Sequence, residues 1–287
     1  MKFLQIDGGI GRCICATGAV KEMTDSHLVT SAPFVFEGLG IERVYPTNHA
    51  YLYEDMIMPG EFILPEPYNH SKYYREKKHL CQVFNFLING KDEYVAPEIK
   101  LSDNERINGR KYVEDIKKGK KVLLIQPFAS SGGRTANCSK VCNDLEDESY
   151  RSFTDGFIKE LIEALKDDYT LLFVEDANQK KYPNTVPVIA QSPRLIFTII
   201  PFVDGIITCD SFLHHASAAL GTPTTTIVLW GGTSEENLGY KEHINLRAKP
   251  LEVSEPNRIV HDHNYYLNKN KGINDFTSLL DEIKKNL

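Results

Sequence analysis

The residues that could do chemistry are concentrated between Cys209 and Tyr240. An apolar run, Val203 to Cys209, stops at Asp210-Ser211. His214 and His215 follow, then the small-residue segment Ala216 to Leu220, then Gly221, Thr222 and Pro223. A second apolar run, Thr224 to Trp230, stops at Gly231-Gly232-Thr233. An acid, a hydroxyl and a histidine at one strand end, with a glycine pair at the next, suit a diphosphate. A helix start capped by Asp210 or Ser211 offers exposed N–H groups, glycine admits the backbone to close approach, and Thr233 adds a hydroxyl. His214 and His215 are neighbours on a helix, about 100° apart, so only one is expected to face the crevice. Taken singly, Asp210 is a helix cap and either histidine is a core or solvated residue; the combination is what points to a ligand.

The elements that must position these residues read as alternating strands and helices. Lys2 to Ile6 is a short strand, Gly8-Gly9-Ile10-Gly11 a turn, and Cys13 to Met23 a helix whose Ile14, Gly18 and Ala19 form a close-packing face. Ser26 to Thr30 and Ile41 to Tyr45 are expected strands flanking a short helix, Ala32 to Gly38. Tyr74 to Asn89 is an expected helix. Between Gly90 and Lys120 the text becomes polar, with Ser102 to Ile116 helical and Lys117-Lys118-Gly119-Lys120-Lys121 reading as a connector. The rhythm then restarts: strand Val122 to Gln126, a long loop from Pro127 to Glu148, helix Ser152 to Lys166 and strand Thr170 to Val174. Helix Ser192 to Pro201, strand Gly205 to Cys209, helix Ser211 to Leu220, strand Thr224 to Trp230 and a terminal amphipathic helix from Asn274 to Lys285 complete it. Such alternation implies an α/β protein with parallel sheets, in two doubly wound domains joined near residue 118. In such sheets ligands gather beyond the carboxyl ends of the strands. Asp210-Ser211 and Gly231-Gly232-Thr233 both lie on that edge.

The chain has 287 residues, 41% of them hydrophobic and 25% charged, with a net charge of -6. No global basic field advertises nucleic acid, and no apolar stretch approaches the ~20 residues of a membrane span. The first residues read as a strand rather than a secretory signal. Cysteines at 13, 15, 81, 138, 142 and 209 lack zinc-finger spacing and read as reduced, mostly buried thiols, which places the expectation in the cytoplasm. His261-Asp262-His263 lacks a nearby third ligand and reads as surface text, so no metal site is expected. Gly9-x-Gly11 carries Ile14 where a dinucleotide fingerprint needs its third glycine, and no P-loop occurs.

The stretch Asp210-Ser211-Phe212-Leu213-His214-His215-Ala216-Ser217-Ala218-Ala219-Leu220-Gly221-Thr222-Pro223, running on to Trp230-Gly231-Gly232-Thr233 and Gly239-Tyr240, resembles the ADP-heptose:lipopolysaccharide heptosyltransferase family. The family pattern is D-S-G-x-x-H-x-A-A-A-x-G-x-P, then a strand and G-x-T; Phe212 stands where the family usually has glycine. Ile10-Gly11, His27 to Glu37, Ile41 to Tyr45 and Leu124 to Ser131 resemble its other loops and strands. The resemblance implies a GT-B glycosyltransferase, with two Rossmann-like domains facing a central cleft. Residues 1–118 would bind the acceptor and 119–287 the nucleotide sugar, with the helix at 274–285 packing back on the first domain. It implies an inverting enzyme that requires no cofactor, uses a nucleotide-diphosphate sugar as donor, and tolerates magnesium without depending on it. Ser130 and Ser131 are expected on the diphosphate with the Gly232-Thr233 amides beside Gly231. Arg134, in preference to Lys140, is the expected basic partner and Glu175 the ribose ligand. Asp210 and Ser211 would meet the sugar and phosphate, and His215 would orient them from its helix.

One departure bears on catalysis. The family's opening loop ends Gly-Asp, and that aspartate is its general base; here the loop ends Gly11-Arg12, while Asp7 stands at the strand end where the family often carries arginine. The pair is charge-swapped, which assigns the base to Asp7 and a contact with acceptor, donor or Asp7 itself to Arg12. Gly9 and Gly11 would border the acceptor. In the segment Asn69 to His79, Lys72 and Arg75 would hold a phosphorylated glycan or a nucleic acid, unless the segment is simply a solvated helix start. The expected acceptor is a glycan or lipopolysaccharide core. The alternatives are DNA carrying hydroxymethylated bases, flipped out to reach the cleft, and a non-catalytic nucleotide-sugar-binding module in which Arg12 has displaced the base. A monomer is expected.

Overall fold

The computed structural model describes residues 2–23, 26–41, 43–52, 54, 58, 60–129, 151–175, 181–189, 193–231, 235–250 and 274–287. Contacts divide the chain into two compact units. One comprises 1–102 with 218–221 and 236–238, the other 103–217 with 222–235 and 239–287.

In the first unit, β1 (Lys2–Ile6), β2 (Ser26–Thr30), β3 (Val44–Pro46) and β4 (Glu61–Ile63) form an all-parallel sheet of order β3-β2-β1-β4. The order reverses between β1 and β4. Helix α1 (Ile10–Lys21) crosses from β1 toward β2 and packs on α3 (Leu80–Asn89). The small residues of α1 serve close approach: a Cβ on Gly18 would lie 2.4 Å from the Ala96 carbonyl oxygen. The expected helix at 74–89 is two pieces, α2 (Ser71–Tyr74) and α3. The break falls at Lys77, whose φ is +53°, and α3 restarts where His79 Nδ1 accepts the Cys81 N–H. Gly90, at φ +71°, ends it. The expected helix at 32–38 reduces to a 3-10 turn at Pro33–Val35.

In the second unit, β5 (Lys121–Gln126), β6 (Tyr169–Glu175), β7 (Thr185–Ile189), β8 (Gly205–Cys209), β9 (Thr225–Trp230) and β10 (Ile244–Arg247) form a parallel sheet of order β10-β9-β8-β5-β6-β7. Counted from β5 this is the 3-2-1-4-5-6 order of a doubly wound dinucleotide-type sheet, with its reversal between β5 and β8. The central strands are apolar on both faces because both are covered. On one face Leu123, Ile125, Phe173, Ile207 and Leu229 pack with Phe157 of α5 (Asp155–Leu165), and with Phe276 and Ile283 of the C-terminal segment. That segment, β12 (Asn274–Asp275) and α9 (Leu280–Asn286), therefore belongs to the second unit's core. Phe276 and Ile283 are buried in that core.

Helix α4 (Asp103–Ile116) packs on α6 (Pro193–Ile199). Arg194 makes a two-pronged ion pair with Glu105, and Gly109 sits where an added Cβ would be 2.0 Å from the Thr198 carbonyl oxygen. The polar text expected to connect domains is thus part of the second unit. The remaining elements are α7 (Phe212–Leu220), α8 (Glu235–Leu238) and β11 (Lys249–Pro250), which pairs antiparallel with β12.

Two outcomes follow. Gly109→Ala should destabilise the protein by about 2 kcal/mol, because the α4–α6 approach leaves no room for a methyl group. Gly156→Ala, where a Cβ meets nothing within 4 Å, should stabilise α5 by about 0.5 kcal/mol; urea-unfolding midpoints that move the same way would contradict this packing. His79 is held neutral: burial pushes it from its ordinary value down to about 4, against a bond to the Leu238 backbone that works upward. The unfolded chain therefore takes up the proton first as pH falls. His79 should contribute a loss of stability between about pH 6.5 and 4, at up to ~1.4 kcal/mol per pH unit. His79→Asn keeps a capping acceptor and should flatten that slope in denaturation curves.

Candidate functional site

The second unit's switch point is built from three segments. Gln126 ends β5, and its side-chain oxygen accepts the Leu213 N–H at 3.3 Å, so the start of α7 is satisfied from the neighbouring strand. Beyond Gln126, the Pro127 carbonyl accepts the Phe153 N–H at 2.8 Å and the Ala129 N–H donates to Ser152 Oγ at 3.0 Å. These bonds lay the segment before α5 along the β5 loop and bring Arg151 Nη1 to 3.7 Å from Asp210 Oδ2. No spacing rule in the sequence connects Arg151 with Asp210.

Asp210 is 3% exposed. Burial alone would raise its carboxyl. The His214 hydrogen bond, the Arg151 charge and the charges of His214 and His215 outweigh that and hold it far below the ordinary carboxylate range. His214 Nε2 lies 3.3 Å from Asp210 Oδ1. An ionised carboxylate only accepts, so His214 carries its proton on Nε2. His215 Nδ1 lies 2.8 Å from the Tyr240 hydroxyl. Both imidazoles are buried, with ring centroids 3.8 Å apart. What separates them is their partners: His214 turns to the acid, His215 to the tyrosine.

A further shell fixes those partners. Trp230, the only tryptophan of the chain, donates from Nε1 to Asn245 Oδ1 at 2.9 Å. Asn245 Nδ2 in turn donates to the carbonyls of Tyr240 and His243. His243 packs 5.2 Å from Tyr240, ring to ring, and burial followed by the charges of His214 and His215 pushes it down to about 3. Sequence reasoning missed His214, His243, Asn245 and Arg151 as members of this cluster; only His214 had a signal, its four-residue spacing from Asp210.

Of the other expected donor residues, Ser211 is buried beside Asp210. Gly231 ends β9, and its carbonyl accepts from Arg247 Nη1 at 3.0 Å. Glu175 lies buried at the end of β6, its carboxyl pushed up by burial, with the Lys181 charge acting the other way. These three, with Asp210, stand on the carboxyl edge of one sheet. Ser130, Ser131, Arg134, Lys140, Gly232, Thr233 and His261 to His263 lie outside the described residues. Cys13, Cys15, Cys81 and Cys209 are buried; burial pushes Cys13 up to about 11, so it stays a thiol.

The first unit's switch point holds Asp7 and Arg12, but not as a pair. Asp7 accepts from the Gly8 N–H at 2.9 Å and from Gln5 Nε2 at 3.3 Å. Burial would raise it; the bonds from Ser31, Gly8 and Gln5 and the Arg12 charge outweigh burial and hold it below its ordinary value. Arg12, rising from the first turn of α1, instead spans to the end of β4. Its Nη2 donates to the Pro65 carbonyl at 2.9 Å and to Glu66 at 2.8 Å, and its guanidinium lies 5.5 Å from the Tyr68 ring centre. Gly9 is open, with nothing near a hypothetical Cβ; Gly11 lies inside α1. Lys72 is engaged by Asp92 and Glu76 and lies 4.6 Å from the Phe86 ring centre, a structural use of its charge. Arg75 is exposed just beyond α2.

No family model and no curated protein matches the sequence. Among solved structures, the chain is similar to ADP-heptose lipopolysaccharide heptosyltransferase II of E. coli, at TM-score 0.64 and 12% identity over 99% of this chain and 98% of that one. It is similar to a glycosyl transferase family 9 protein of Veillonella parvula, at TM-score 0.61 and 10% identity over 88% of each chain. It is also similar to E. coli heptosyltransferase WaaC solved with ADP, at TM-score 0.58 and 10% identity over 100% of both. At such identities the likeness establishes the fold: the α/β architecture with parallel sheets is that of the ADP-heptose heptosyltransferases.

Proposed function

We propose that the protein is an inverting glycosyltransferase that moves a sugar from a nucleotide-diphosphate sugar to a hydroxyl of a glycan acceptor, working as a monomer in the cytoplasm. The observation that carries this reading is the buried Asp210 constellation at the strand-order reversal of the second unit, where the fold it shares with heptosyltransferases gathers ligands. In this reading residues 119–287 take the donor. Ser130, Ser131, Arg134 and the Gly231-Gly232-Thr233 loop receive the diphosphate, Glu175 the ribose, and Asp210 with Ser211 the sugar. His215 holds that edge in place through Tyr240. The departing diphosphate gains negative charge as the glycosidic bond breaks, and donors preorganised around it lower the barrier; the transfer step needs no metal.

Asp7 serves as the base. Its depressed carboxyl is ionised at neutral pH and takes the acceptor proton only as that hydroxyl becomes acidic in the transition state. Arg12 acts on Asp7 through its charge, while its Nη2 is held by Glu66 and Pro65. Residues 1–118, with Gly9, Gly11 and Arg75, take the acceptor. The engagement of Lys72 by two carboxylates favours a glycan over a nucleic-acid backbone.

The test is release of nucleoside diphosphate from a panel of nucleotide sugars, with a sugar-lipid core or hydroxymethylated DNA as acceptor. Release with the glycan is expected. Release with DNA alone would replace the acceptor class, and no release with any pair would sink the transferase reading in favour of a binding module. Asp7→Asn should lower kcat by about 10²–10⁴-fold, with donor affinity, read by Trp230 fluorescence, unchanged. Asp210→Asn should weaken donor binding itself. Equal loss of donor binding in both variants would contradict the division of roles.

A further inference from the structure

We propose that Asp210, His214 and His215 form a binding site for one divalent transition-metal ion of the zinc or ferrous-iron class. One carboxylate oxygen and one ring nitrogen of each histidine lie within 4.8 Å of one another, and all three side chains are buried. The separation of Asp210 Oδ1 from His214 Nε2, 3.3 Å, equals the ligand–ligand edge of a tetrahedron with bonds of about 2.0–2.1 Å. An ion bound there replaces the proton on His214 Nε2, which is released to solvent on loading.

Among the described residues, Asp210 Oδ2 is buried without a hydrogen bond and faces the Arg151 guanidinium at 3.7 Å. The Arg151 guanidinium approaches Oδ2 while His214 lies on Oδ1, so arginine and metal take opposite oxygens of one carboxylate. The His215–Tyr240 bond at 2.8 Å supplies the outer partner that fixes a ligating imidazole ring. Two imidazoles and one carboxylate select a first-row transition ion over magnesium or calcium, which prefer all-oxygen shells. Three protein ligands leave the fourth position of a tetrahedral shell to water, and the ion would tie the end of β8 to the start of α7.

The experiment loads chelator-stripped full-length protein with Co²⁺ or Zn²⁺ in the absence of donor and acceptor. Expected are one bound equivalent, a zinc X-ray absorption first shell of nitrogen and oxygen with two imidazoles, and a rise in Tm of about 5 °C at ~100-fold excess over Kd. The His214→Ala/His215→Ala variant should bind Co²⁺ at least ~100-fold more weakly. Substoichiometric binding by the wild type, a sulfur first shell, or undiminished binding by the double variant overturns the proposal. If that variant does not fold, the wild-type absorption spectrum decides alone. Because no turnover is read, loss of this proposal leaves the transferase assay untouched, and the reverse holds as well.

Discussion

Keeping the Asp210 carboxylate ionised in the interior is the constraint on which the second unit's site depends. An isolated buried carboxylate would cost many kcal/mol and would neutralise itself instead. Here it stays charged because His214, one helical turn on, donates to one oxygen and Arg151 stands near the other. Each of those partners is itself held. Arg151 is placed by the Ala129–Ser152 and Phe153–Pro127 bonds, and the start of α7, which carries His214, is fastened to β5 by Gln126. Removing one member would leave a buried charge or an unfilled hydrogen bond elsewhere in the set.

The first unit solves an opposite problem with similar means. Its buried charge is a cation, Arg12, with only 11% of its side chain exposed. The guanidinium donates from Nη2 to a backbone carbonyl and a carboxylate at the end of β4, and lies beside the Tyr68 and Phe84 rings. The charge swap visible in the sequence is therefore not an exchange between two groups in contact. Asp7 is supported by its own turn, from Gly8 and Gln5, while Arg12 ties β4 to α1.

The C-terminal motif was legible because it states its structure locally: apolar runs that stop at Asp210 and at Gly231 are strand ends, and strand ends of parallel sheets share an edge. The missed strands are edge strands. β7 contains Pro187, tolerated only where one side of a strand is unpaired; β4 and β10 are short and half exposed, so neither periodicity nor length announced them. A helical wheel gives angles from an axis and does not say which partner each imidazole takes: His214 meets Asp210 and His215 meets Tyr240, both inside. Arg151 and Asn245 act through tertiary contacts that no local pattern encodes. The polar composition of α4 suggested a linker, whereas Gly109 and Glu105 fit it to α6 through a notch and an ion pair.

The pairing of β5 with β8 carries a consequence for how the site comes into being. Leu123 pairs with Gly205, and the Val122 N–H is held by the Asp204 side chain, across a long intervening stretch of chain. Such non-local parallel pairing closes late, because the entropy of the loop is lost before any contact compensates it. Gln126 and Asp210, Arg151 and His214 become neighbours only once that central pair has zipped. No nascent fragment that stops short of β8 can hold even a partial version of the crevice, so ligand competence and completion of the second unit's fold become one event.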